Sequence, residues 1–254
     1  MCKTENSPNT IHPMNAAILI IGSLRWDNRG GRDVWRKERL LAEQAIPVKA
    51  PVRYGRKSRS RGNTYTMVLA PEEKMGRALL VPLIRPVATG TDLFTEAKAL
   101  WMAETNCDCV TRIHASWGSV GAWFGNGCGS DWAEGWAGHF TTQKEAIEPI
   151  NKNGLMEIPW PTSNDGKAVK YDIILATATK AEAIRPSTEE VAAAWANQKD
   201  GLEAYFFENI RHGIRTPDDA EIWRKIEEHN PAWILDPTHS PAIEILRREK
   251  DIYG

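Results

Sequence analysis

The apolar run Ile18-Leu19-Ile20-Ile21 stops abruptly at Gly22-Ser23, with Leu24 and a cation, Arg25, directly beyond. Unbroken apolar, partly β-branched residues mark a buried strand, and Gly-Ser marks a tight turn at its end. A buried strand obliges the rest of the chain to supply strands beside it and cover over it. The turn also has chemical consequences. A glycine lets a ligand come close to the backbone, and the amides that follow are free to receive an anion. Gly22, Ser23, Leu24 and Arg25 are therefore candidate binding residues for a small acidic molecule, with Arg25 able to pair a carboxylate bidentately. A Gly-Ser strand end without any ligand, and an Arg25 solvated at the surface, fit the same residues.

The neighbours of that strand are readable from periodicity. Further strands are expected at 48–54, 64–69, 78–83 and 171–178, with Cys107 to Ile113 as another. From 92 to 104 the period changes. Leu93, Ala97, Leu100 and Trp101 fall on one helical face, and Asp92 or Thr91 can cap its start. Residues 28–45 read as a loop leading into a short helix. Ser187 with Glu190 forms a capping-box signal behind Pro186, opening a helix to about 197. Helices are expected next at 202–211 and 217–228, with a last one at 241–250. Strands, one helix, more strands and then helices indicate an α+β fold. Residues 1–15 read as a disordered tail, 16–230 as one domain and 231–254 as a C-terminal tail. The Trp- and Gly-rich region at about 114–165 reads as an insertion.

Composition excludes several classes. The chain of 254 residues has a net charge of −1, so no global field draws it to nucleic acid or to a membrane. No apolar run approaches the roughly 18–20 residues that span a bilayer. The first fifteen residues lack the apolar centre of a signal peptide. Four cysteines at irregular spacing suggest reduced thiols and a cytoplasmic protein. The eleven tryptophans fill core gaps or line an aromatic pocket.

Glu104 stands out once the 92–104 helix is drawn. At about 100° per residue it falls near the middle of the apolar stripe. A carboxylate there is desolvated and its pKa rises, which suits proton exchange near neutral pH. A helix that frays before Glu104 would instead leave it in water. Glu96, at the stripe's edge, reads as a solvated helix residue. The basic run Arg53, Arg56, Lys57, Arg59 and Arg61 fits phosphate or an acidic substrate arm, although such a run is more often a solvated hairpin tip or an edge strand protected by charge. Cys107, Cys109, His114 and Cys128 lack the paired spacing of structural zinc sites. Ser23 is outside a Gly-x-Ser-x-Gly elbow, and His139 and His212 have no evident partner for a serine nucleophile.

The turn and the glutamate, in this order, resemble the gamma-glutamylcyclotransferase-like family. That family opens with a strand and a Tyr-Gly-Ser/Thr-Leu/Asn motif, here Ile21-Gly22-Ser23-Leu24. Its catalytic glutamate follows a Gly-containing strand and a helix, matched here by Gly76, the strand to Leu83 and the helix ending at Glu104. Its closing helical segment looks similar to the stretch from Tyr205 to Ile214. Ile21 stands where the family usually has tyrosine, Thr105 where it commonly has glycine, and 114–165 has no counterpart. The resemblance implies a small mixed β-barrel or sheet with flanking helices. It also implies cyclisation of a γ-glutamyl amine to 5-oxoproline without metal or organic cofactor. Gly22, Ser23 and Leu24 would hold the α-carboxylate, and Glu104 would act as base and then acid. The implied partner is a small acidic substrate; a non-catalytic binding module on the same fold is the alternative, and the oligomeric state is left open.

Overall fold

The computed structural model describes residues 13–72, 74–107, 113, 118–140, 147–197 and 203–253. Most of the expected tail at 1–15, most of the expected strand after Cys107, and Cys109 and His114 lie outside them.

Strand β1 (Ala16–Ile20) lies inside a mixed six-stranded sheet. It pairs antiparallel with β5 (Gly76–Pro82), where Ile20 faces Leu79, and parallel with β8 (Ile173–Ala178), where Leu19 faces Ala176. Every residue of β1 and of β8 is buried. That is why both read as apolar runs without alternation. Beyond β5 come β2 (Ile46–Ala50) and the short edge strand β7 (Thr162–Ser163). The other edge is β6 (Ser119–Phe124), antiparallel to β8.

The sheet remains open. Its edge strands β6 and β7 stand at opposite ends, and no closed barrel forms among the described residues. The expected strand at 48–54 divides at Pro51, which has no N–H to continue a ladder. Beyond it, β3 (Val52–Ser58) and β4 (Thr64–Leu69) form a separate antiparallel hairpin, with a register shift between Tyr54 and Arg56.

Helix α1 (Arg32–Arg39) packs against α2 (Gly90–Thr105), which also contacts β6 and β8. The cap of α2 is Thr89, in a reciprocal box with Asp92, so the helix begins two residues earlier than expected. The described part of the expected insertion at about 114–165 carries elements of its own. It supplies β6 to the sheet and α3 (Ser130–Gly138), whose Trp136 is buried. Among the described residues seven of ten tryptophans are buried, which places most of these indoles in the core.

Helices α4 (Thr188–Ala196) and α6 (Asp219–His229) pack together, and α5 (Ala204–Arg211) contacts the turn that follows β1. The short helix α7 (Ala232–Leu235) leads into α8 (Ser240–Tyr253). The last helix expected at 241–250 is thus present within the C-terminal segment. Ala242, Ile243 and Leu246 of α8 are buried, and the helix packs on α5 and α6. Among the described residues no helix is long and apolar enough to cross a membrane.

Candidate functional site

Glu104 occupies the last turn of α2, on the stripe whose Leu93, Ala97, Leu100 and Trp101 are all buried. The helix does not fray before it. Its side chain keeps 18 % of its surface exposed and lines a cavity of about 420 Å³. Burial raises its pKa to about 7, opposed by the guanidiniums of Arg32, Arg56 and Arg61. Glu104 is thus a carboxyl that both holds and releases a proton near neutrality.

The turn after β1 reaches the same cavity. Gly22 takes φ +70°, which ends the strand and starts a 3-10 turn from Gly22 to Arg25. As the first amides of a helical turn, those of Gly22 and Ser23 have no acceptor within it. A side chain at Gly22 is excluded in any case, since a Cβ there would stand 2.7 Å from the Tyr205 hydroxyl oxygen. Ile21 and Ser23 line the cavity, whereas Leu24 is buried with its carbonyl accepting from Arg36 at 2.7 Å.

The turn and the helix end are joined by one guanidinium. Arg32 Nε donates to the Ala103 carbonyl at 2.8 Å and Nη2 to the Glu104 carbonyl at 3.2 Å. Its Nη1 donates to Ser23 Oγ at 3.2 Å and to Asp27 Oδ2 at 3.0 Å. The planar fork of arginine can serve acceptors on two elements at once, which an ammonium on a flexible stem does not do. Asp27 is buried and also accepts from Arg29 Nε at 2.9 Å and Nη2 at 2.7 Å. Burial alone would raise its pKa, but the Arg29 hydrogen bonds and the Arg32 charge bring it to about 2. Asp27 therefore stays ionised and holds cations in place while Glu104 titrates.

The basic run divides by position. Arg56 and Arg61 line the cavity; Arg53 is buried in an ion pair with Glu72 at 2.8 Å; Arg59 is exposed. Arg61 lies over the Tyr205 ring, 4.6 Å from its centroid, and donates from Nη2 to Ser23 Oγ at 3.2 Å. Tyr205 is itself fixed, stacked on Trp195 and accepting from the Met67 amide at 3.1 Å. The hairpin tip thus folds back as one wall of the site.

Of the residues expected at a site, Ser23 and Glu104 meet at this cavity, with Gly22 as the backbone turn behind Ser23. Arg25 does not join them. It lines a different cavity, beside Asn28, Arg36 and Leu40. Glu96 is not simply solvated but paired with Arg39 at 2.9 Å. No histidine lines the Glu104 cavity among the described residues: His139 stacks on Phe94 and His212 lies 3.6 Å from Glu208. Cys107 and Cys128 are free thiols. Asp27 and Arg32 carry no motif in the sequence, and Tyr205 enters it only within the closing helical segment. Asp27 and Arg32 lie in a charge-dense, Gly-containing stretch just after the Gly-Ser turn, which is a usable signal. The significance of Arg32 depends on acceptors at Ala103 and Glu104, more than seventy residues away. No protein-family model, curated protein or solved structure matches the chain.

Proposed function

We propose that the protein is a gamma-glutamylcyclotransferase-like enzyme that converts a γ-glutamyl amine to 5-oxoproline and a free amine. The observation that carries this reading is a carboxyl with pKa about 7, Glu104, in one cavity with Ser23 of the turn that Gly22 opens. The α-carboxylate of the γ-glutamyl group suits the turn, where the first amides of a helical turn and the Arg61 charge both favour an anion. Glu104 then takes a proton from the α-amine, which attacks its own γ-carbonyl. Closing a five-membered ring needs the chain held folded, and the Arg-rich walls supply that constraint. Glu104 returns its proton to the departing nitrogen, so a single group serves as base and acid.

The reading does not need the tyrosine that the resemblance expects at position 21. Tyr205 brings a phenol ring to the same turn from α5. The test is incubation with a panel of γ-glutamyl amines and assay of 5-oxoproline. Wild-type protein is expected to release it and Glu104→Gln to fall to background. Equal behaviour of the two across the panel would leave a binding module on this fold as the better reading.

A further inference from the structure

Ser23 Oγ accepts from Arg32 Nη1 and from Arg61 Nη2, each at 3.2 Å. A serine hydroxyl has two acceptor lone pairs and one donor proton. Both lone pairs are occupied by cations, which leaves the hydroxyl a donor only. Among the described residues no acceptor takes its proton, and Ser23 lines the cavity that Glu104 shares. Donation from two guanidiniums withdraws charge from the oxygen and strengthens the O–H as a donor. It also makes the oxygen a poor nucleophile, and no histidine stands in the cavity among the described residues to activate it.

We propose that the Ser23 hydroxyl is a catalytic hydrogen-bond donor to the γ-carbonyl oxygen as negative charge develops on it. The proposal rests on the cyclisation reading above and assigns it an oxyanion donor. In the step concerned, the α-amine nitrogen bonds to the γ-carbon and the carbonyl π pair moves to oxygen, while Glu104 takes the amine proton. The oxyanion accepts from Ser23. When the carbonyl re-forms, the bond to the leaving nitrogen breaks and Glu104 protonates that nitrogen. Substrate atoms are fully distributed between 5-oxoproline and amine, and no water is consumed. A donor fixed before reaction and polarised by two cations stabilises the transition state more than the neutral carbonyl.

The experiment is steady-state kinetics of Ser23→Ala and Ser23→Thr on the best γ-glutamyl amine of the panel, with melting curves to show that both fold. Ser23→Ala is expected to lower kcat by about 10²–10³-fold, the loss typical of one oxyanion donor, with KM within about threefold of wild type. Ser23→Thr keeps the hydroxyl and regains most of the rate. Should Ser23→Ala not fold, Ser23→Cys, with a weak S–H donor, is expected to give an intermediate loss of kcat. A kcat equal to wild type, or a loss confined to KM, overturns the role of Ser23 and leaves the cyclisation reading standing. Absence of 5-oxoproline from wild-type protein overturns both.

Discussion

Arg32 grips Glu104 by its backbone while facing its carboxylate: Nη2 donates to the Glu104 carbonyl at 3.2 Å and stands 4.0 Å from Oε2. The same guanidinium holds Ser23 and Asp27 through Nη1. One side chain therefore sets both the separation of the two halves of the site and part of the field on the titrating carboxyl.

Removing that charge should raise the Glu104 pKa further, because Arg32 is the first of the cations that oppose its burial. Arg32→Met is expected to move the acid limb of the 5-oxoproline rate profile up by about one pH unit. Arg32→Lys keeps the charge but cannot span the Ala103, Glu104 and Ser23 acceptors, so it should lower kcat with a smaller shift of the limb. The readout is the pH–rate profile of both variants. An unmoved limb in Arg32→Met would refute the electrostatic half of this role.

Glu104 also couples stability to pH. Its folded pKa of about 7 lies above the ordinary value of 4.5. Between those values the folded protein keeps a proton that the unfolded chain has lost, so stability falls as pH rises through this window. Glu104→Gln removes the ionisation, and is expected to be more stable than wild type by about 3 kcal/mol near pH 8 and about equal near pH 4. Urea unfolding at the two pH values measures this. A stability difference that does not change with pH would contradict it.

The sequence showed most plainly those elements whose burial pattern is local. β1, β5 and β8 announce themselves by apolar runs and β4 by its β-branched and aromatic residues, and the Ser187–Glu190 box fixes the start of α4. β6 is hidden because its central Gly121 breaks the apolar pattern. A Cβ there would lie 2.5 Å from Met156 Sδ, so packing with a distant segment dictates the residue. The same distinction applies to the site. Glu104 was visible because the helical stripe that buries it is local. Arg32 was not, because its acceptors at Ala103 and Glu104 are brought to it by α1–α2 packing. Arg25 misled for the same reason: proximity in sequence to the Gly-Ser turn does not decide which cavity a long side chain enters.

Gly22 and Tyr205 should behave as a coupled pair. Gly22→Ala meets two penalties, a positive φ of +70° and a Cβ placed 2.7 Å from the Tyr205 hydroxyl oxygen. A loss of about 2 kcal/mol or more is expected in thermal or urea unfolding. Tyr205→Phe removes the clashing oxygen, leaving the ring carbon at an ordinary 3.5 Å. The double variant should recover the steric part of the loss but not the part due to φ. Strict additivity of the two single changes would show that the hydroxyl is not what excludes a side chain at position 22.

Asp27 has the opposite pH signature to Glu104. Its pKa is held at about 2, below the ordinary 3.8, by Arg29 and Arg32 despite its burial. Its contribution to stability is therefore present above 3.8 and lost as pH falls through 2. Asp27→Asn is expected to cost about 2 kcal/mol at neutral pH through this ionisation alone. The variant also leaves Arg29 and Arg32 without their carboxylate, while Arg32 keeps its bonds to the Ala103 and Glu104 carbonyls. Urea unfolding of wild type and variant should converge as the pH approaches 2, whereas an equal difference at neutral and acid pH would assign the loss to shape rather than charge. Because the carboxylate is buried, the neutral-pH difference should also respond little to added salt, unlike that of an exposed pair.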